Sequence, residues 1–269
     1  MTDFADPSLT RSALGRGAPS LFGPASFGES REVTGFHVHQ RDAVAWLRTL
    51  GTGSVDLVVT DPAYESLEKH RAIGTTTRLK KSKASSNDWF QIFPNSRFPE
   101  LFAEVYRVLR KNSHFYLFCD QETMFVAKPM AEAVGFRFWK PLVWDKCKIG
   151  MGYHYRSRYE LILFFEKGKR KLNDLSTADI IAHPRIHRGY PAEKPPEVSE
   201  VLVEQSSEPG EIVVDPFMGS GSVGVAAVRN GRPFLGSDIC AEAIEISTQR
   251  LAGAGGEHQI ALYEEARGR

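Results

Sequence analysis

Apolar and polar stretches alternate along this chain with the spacing of short strands and helices that take turns. Glu32 to His39 reads as a strand, and Ala43 to Leu50 as a short helix with Val44, Leu47 and Leu50 on one face and Asp42 at its N-cap. Val55 to Thr60 is β-branched and nearly all apolar, as a parallel strand buried on both faces is, and it stops at Asp61-Pro62. Residues 65–97 show no sustained period and are rich in Lys, Ser and Thr, which predicts a mobile loop. A helix follows over Phe98–Arg110, with Leu101, Val105, Val108 and Leu109 on one face, and then a strand over His114–Cys119. The pattern continues with a helix near Glu122–Val134 and strands near Phe138–Trp144 and Tyr159–Glu166. Gly168 to Glu193 is basic, polar and irregular. Helices over Pro196–Ser206, Ser220–Asn230 and Ala241–Leu251 then alternate with strands over Glu211–Val214 and Pro233–Gly236. Such alternation predicts an α/β fold, one doubly wound, mostly parallel Rossmann-like sheet with its ligands at the carboxyl ends of the strands. The expected organisation is a flexible leader over 1–31, one domain over 32–252 and a tail over 253–269.

Composition narrows the function classes. No apolar run approaches the roughly 18 residues of a membrane span, and the first thirty residues lack the apolar core of a signal peptide, so a cytoplasmic protein is expected. Cys119, Cys147 and Cys240 have neither zinc-ligand spacing nor an even count, and they read as reduced thiols in or near the core. His183 and His187 are four apart with no third ligand nearby, so no metal site is expected. The net charge is only +1, but the basic residues are clustered. Lys69, Arg71, Arg78, Lys80, Lys81 and Lys83 crowd one loop, and Lys140, Lys146, Lys148, Arg156 and Arg158 form a second group. Either these clusters are solvated surface, or they mark a polyanionic partner.

The most specific chemistry lies in Val213-Val214-Asp215-Pro216-Phe217-Met218-Gly219-Ser220-Gly221-Ser222-Val223-Gly224, a strand turning through glycines into a helix. Such a turn brings backbone N–H groups toward a ligand, and Asp238 at the end of the next strand is placed for ribose hydroxyls. By itself the turn implies an adenosine-containing ligand, a dinucleotide included.

The stretch Asp215 to Ser222 resembles the S-adenosylmethionine turn of the DNA amino-methyltransferases. Asp61-Pro62-Ala63-Tyr64 resembles the Asp-Pro-Pro-Tyr catalytic motif of that family, and Tyr190-Pro191-Ala192-Glu193-Lys194-Pro195 is similar to its His-Pro-Thr-Gln-Lys-Pro stretch. Asp42, the run His114–Asp120 and Arg158-Tyr159-Glu160 are further matches, so the resemblance spans about residues 33–251. Having the catalytic motif first and the cofactor turn last is the order of the circularly permuted β class. The resemblance implies that Asp61 and the Pro62 carbonyl accept the N–H groups of an exocyclic base amine, and that Tyr64 stacks on a base extruded from the duplex. It implies S-adenosylmethionine contacts from Asp42, Ala43, Asp61 and Lys194. From the turn it adds Asp215, Phe217, Gly219, Ser220 and Gly221, and from the next strand Asp238 and Ile239. Lys194 is expected near the methionyl carboxylate and Asp42 near the adenine amino group. The sequence departs from the family at Ala63, where a second Pro is usual, so the turn is expected to be less rigid and the free Ala63 N–H to need a partner.

DNA is the expected partner, contacted by the basic loop, by Arg156 and Arg158, and by 168–193 as a short recognition segment; a homodimer is left open. The adenine enzymes of the permuted class carry Asp at the position of Asp61, whereas the cytosine-N4 enzymes mostly carry Ser, which favours N6-adenine over N4-cytosine. The alternatives are methylation of RNA or of a protein amide, a nucleic-acid-binding subunit without turnover, and, more distantly, a nicotinamide oxidoreductase.

Overall fold

A computed structural model describes residues 35–66, 91–150, 154–186 and 193–255. Among these residues eight strands form one sheet: β1 Phe36–Gln40, β2 Val55–Thr60, β3 Leu109–Cys119, β4 Arg137–Asp145, β5 Tyr159–Lys167, β6 Ile180–Ala182, β7 Val213–Asp215 and β8 Phe234–Asp238. Their order across the sheet is β1-β8-β7-β2-β3-β5-β4-β6. All pairings are parallel except those of β5, which runs against both β3 and β4.

The helices are α1 Ala43–Leu47, α2 Phe98–Val108, α3 Gln121–Ala133, α4 Pro196–Ser206, α5 Ser222–Arg229 and α6 Ala241–Gly253. Strand side chains alternate between the two faces. Val58, Phe115 and Leu117 pack with Trp46, Leu101, Phe102 and Val105 on one face; Leu57, Val59, Tyr116 and Phe118 pack with Val198, Leu202, Val223 and Ala226 on the other. Proline stands in the first turn of α2, as Pro99, and begins α4, as Pro196, where its missing N–H is not needed. Every residue of β2 is buried, including Asp56, whose carboxylate accepts from Arg110 Nη1 at 2.7 Å and from the Ile212 amide at 2.8 Å.

β2 and β7 are neighbours at mid-sheet, with Leu57 opposite Val213, although the acidic motif comes first along the chain. From β7 the chain turns outward to β8, and from β2 it turns the other way to β3, which opens a crevice at the carboxyl ends of the two strands. This is the permuted order expected from the motifs.

Three details differ from the sequence reading. β3 begins at Leu109, five residues early, because Val55 pairs with Leu109 before an irregularity shifts the register to Leu57 opposite His114. The segment 168–193 is not wholly irregular, since Ile180–Ala182 adds a parallel edge strand to β4. Cys147 is exposed in the β4–β5 turn at φ 59°, and only Cys119 is fully buried.

Candidate active site

Asp61 and Pro62 follow β2 directly, so the carboxylate stands at the mouth of the central crevice. Its Oδ2 is held by the Lys194 ammonium, which reaches it from the lead-in to α4. Lys194 also lies 3.3 Å from Glu160 Oε2, and Glu160 Oε1 accepts from Lys146 Nζ at 2.5 Å. Aromatic rings flank both lysines: Lys194 sits 5.1 Å from the Phe118 centroid and Lys146 5.3 Å from that of Trp144. Burial raises the Asp61 pKa above the ordinary range, with Lys194 opposing and Glu160 adding to the rise. Burial also opposes the charge on Lys194, but Asp61 and Glu160 outweigh it and hold the ammonium well above its usual range. For Glu160, burial is likewise overcome, here by Lys194 and Lys146, and its pKa is lowered.

The motif is braced despite lacking a second proline. Ala63 O accepts from the Phe93 amide at 2.7 Å, Glu65 Oε1 accepts from the Asn95 amide at 2.8 Å, and Ser66 Oγ donates to Asp120 Oδ2 at 2.5 Å. Tyr64 is 9% exposed, and burial first, then the charges of Glu160, Asp61 and Asp120, keep its hydroxyl neutral. No donor among the described residues takes the Pro62 carbonyl or Asp61 Oδ1.

The glycine turn forms the other wall. Thr60 Oγ1 donates to Asp215 Oδ1 at 2.7 Å and the Phe217 amide donates to the same oxygen at 2.9 Å, which ties the ends of β2 and β7 together. Burial pushes the Asp215 carboxyl up to about 7 against these donors, helped by the nearby Asp61 and Asp238 charges. Gly221 has φ 80°, and a Cβ there would stand 2.9 Å from Ser247 Cβ. Gly224 answers to packing, since its Cβ would lie 2.6 Å from the Phe234 ring. Asp238 accepts from the Gly219 amide on one oxygen and from Cys240 on the other, both at 2.9 Å, and Ile239 beside it is half exposed. A cavity between the walls is lined by Asp61, Phe118, Lys194, Asp215, Phe217, Gly219 and Ser220.

Other expected residues have different neighbours. Asp42 caps α1 through the Ala45 amide at 3.0 Å, and its carboxylate takes two bonds from Arg97, at 2.8 and 3.0 Å, which hold its pKa low. Ala43 is buried in the first turn of α1. Arg158 forms a two-pronged pair with Asp145, at 2.6 and 2.7 Å, closing the β4–β5 hairpin, and Lys140 pairs with Asp179 at 2.6 Å. Arg156 and Lys148 are exposed and have no ion pair among the described residues. Lys69, Arg71, Arg78, Lys80, Lys81 and Lys83 lie outside the described residues, as does His187.

Sequence reasoning missed Lys146 and Glu160 as site residues, and also Ser199, whose buried hydroxyl lines the cavity without a partner. The Arg158-Tyr159-Glu160 match was the one signal that pointed toward Glu160.

The family model described as DNA methylase matches residues 55–249. The Type II methyltransferase M.HpaI of Haemophilus parainfluenzae is 24% identical over 238 residues, which cover 78% of this chain and 72% of that protein. The DNA adenine methyltransferase YhdJ of Escherichia coli K12 is 26% identical over 268 residues, 85% of each chain. Among solved structures, the M1.HpyAVI–SAM complex superposes with a TM-score of 0.59 at 21% identity, over 80% of this chain and 99% of that one. The PvuII cytosine-N4-specific DNA methyltransferase gives 0.63 at 15% identity, over 84% and 95%. At such identities the two structures bear on the fold alone. The family match runs from the strand that delivers Asp61 to the helix beyond Asp238 and so takes in both walls of the crevice: the chain belongs to the N6/N4 DNA methylase family.

Proposed function

We propose that this protein transfers a methyl group from S-adenosylmethionine to the exocyclic amine of a flipped base in DNA, N6 of adenine. The observation that carries the reading is the pair of acceptors at the end of β2. Asp61 Oδ1 and the Pro62 carbonyl belong to consecutive residues and have no donor among the described residues, while Oδ2 is anchored by Lys194. A base amine is a poor nucleophile because its lone pair is delocalised into the ring. Two acceptors that each take one N–H draw the nitrogen toward a tetrahedral shape and free that lone pair for an in-line displacement. An ionised carboxylate accepts more strongly than a hydroxyl, which supports adenine.

The crevice fits the cofactor. Asp215 Oδ1 already has two donors, which leaves Oδ2 for a cation, and the unpartnered Ser199 hydroxyl lines the same cavity. Asp238 would hold the ribose hydroxyls and the half-exposed Ile239 would meet the adenine face, whereas the expected contact from Asp42 competes with Arg97. S-adenosylmethionine, when bound, supplies the electrophilic methyl group. Tyr64, kept neutral, offers its ring to the base. Tritiated cofactor offered to DNA, RNA and protein together tests the substrate class: label in DNA is expected, and label confined to RNA or protein, or to none of them, overturns it.

Two further outcomes are expected, one from the site and one from the basic cluster of the sequence. A carboxyl poised at about 7 gives up its proton when a cation arrives, so cofactor binding near neutral pH releases protons and weakens as pH falls below about 7. Calorimetry in buffers of different ionisation enthalpy measures the release, which Asp215→Asn abolishes. Replacing Lys80, Lys81 and Lys83 together lowers the slope of log K against log salt by about 0.9 for each duplex phosphate that is no longer neutralised. Binding titrations at several salt concentrations read that slope, and an unchanged one returns the loop to solvated surface.

A further inference from the structure

We propose that Glu160 and Lys146 are a positioning pair for the catalytic carboxylate, with Glu160 steering Lys194 onto Asp61 Oδ2 and Lys146 fixing Glu160. This rests on the reading of Asp61 as the acceptor of the target amine.

The topology supplies the acid. Among the described strands β5 alone runs against the rest of the sheet, so its first residues arrive at the edge where β2 and β4 end. Glu160 therefore stands opposite Trp144, beside the end of β4, and Lys146 follows two residues later. Asp61, Lys194, Glu160 and Lys146 alternate in sign and sum to zero, with side chains 30%, 13%, 22% and 17% exposed. A half-buried row of this kind is tolerated because each charge has an opposite neighbour; removing one member strands the next.

The arrangement has a use beyond neutrality. A lysine stem has many rotamers, and an ammonium bound only to Asp61 would be free to slide across both carboxylate oxygens. The second carboxylate, 3.3 Å away, and the Phe118 ring, 5.1 Å from the ammonium, confine Lys194 to the Oδ2 side. Oδ1 is then left as the oxygen that meets the amine. Lys146, held over Trp144, does for Glu160 what Glu160 does for Lys194.

The groups around Asp61 are Tyr64 on its own loop, Cys119 at the end of β3, Asp215 at the end of β7, Lys194, Glu160 and Lys146, with Asp120 acting on Tyr64. Among them Glu160 raises the Asp61 pKa and Lys146 lowers it, so their removal acts in opposite directions.

The test is the single-turnover rate of methyl transfer from tritiated cofactor to unmethylated plasmid DNA as a function of pH, with cofactor saturating at every pH so that protonation of Asp215 does not enter. Because Asp61 works ionised, activity falls as pH drops through its pKa. Glu160→Gln is expected to slow transfer about tenfold or more at the plateau, to leave cofactor affinity within about threefold, and to move the acid limb to lower pH. Lys146→Met is expected to move the limb to higher pH, and the double variant to return it toward wild type. Plateau rates within about twofold of wild type, limbs that stay put, or limbs that move the same way overturn the proposal. Should Glu160→Gln fail to bind cofactor, Lys146→Met decides alone, and an unmoved limb rejects the pair. Full activity in Asp61→Ala would instead sink the reading of the acceptor itself.

Discussion

Asp61→Ala is expected to lower the rate of methyl transfer to DNA by about 10²–10³ or more, the scale on which removal of one preorganised polar group at a reacting centre is felt. The carboxylate belongs to the residue next to the Pro62 carbonyl and has Oδ1 without a donor among the described residues, and without it one amino N–H is left unpaired and the lone pair stays in the ring. Cofactor binding is expected to persist, because the turn that ends β7 is held by Thr60, Ser237 and Asp238 and not by Asp61. Single-turnover transfer and calorimetric titration of the same preparation separate the two effects. Normal turnover in the variant would remove Asp61 from the chemistry.

Lys194→Ala is expected to damage both folding and activity. It leaves Asp61 and Glu160 near one another with only Lys146 to offset two charges. The expected loss of stability at neutral pH is about 2–3 kcal/mol, below the full cost of a stranded buried charge because the Asp61 side chain keeps 30% of its surface exposed. The sign of the pH dependence follows from linkage. In the variant the folded-state pKa of Asp61, already raised by burial, loses its chief opposing charge, so the folded chain binds more protons than the unfolded one over the window between the two values. The deficit is therefore largest at neutral and alkaline pH and shrinks as pH falls through that window. Thermal melts across pH check this, and a melting temperature equal to wild type at every pH would show that Lys194 bears no such burden.

The fold was legible wherever local signals were strong. β2 and α4 fall on the expected residues, the first because it is a continuous β-branched run stopped by Asp61-Pro62, the second because Pro196 starts it cleanly. β6 escaped notice because three residues in a polar segment have no period, and only their pairing with Val143–Asp145 makes them a strand. The direction of β5 was invisible for a related reason, since orientation is a property of the sheet and not of the strand.

The site was legible as two motifs but not as one network. Lys194 was expected at the methionyl carboxylate; the structure puts it on Asp61, 133 positions away in sequence, and on Glu160. No spacing rule carries that information. Asp42 shows the converse, since capping by this residue was legible while its pairing with Arg97 was not.

The measurement that bears most directly on the account is mass spectrometry of nucleosides from unmethylated DNA incubated with the protein and isotopically labelled S-adenosylmethionine. Labelled N6-methyladenine is expected with the wild-type chain and is expected to be lost in Asp61→Ala. Label on cytosine N4 and absent from adenine would contradict the base assignment, and DNA nucleosides that stay unlabelled while the cofactor binds would contradict the account of this crevice as a site of amine methylation.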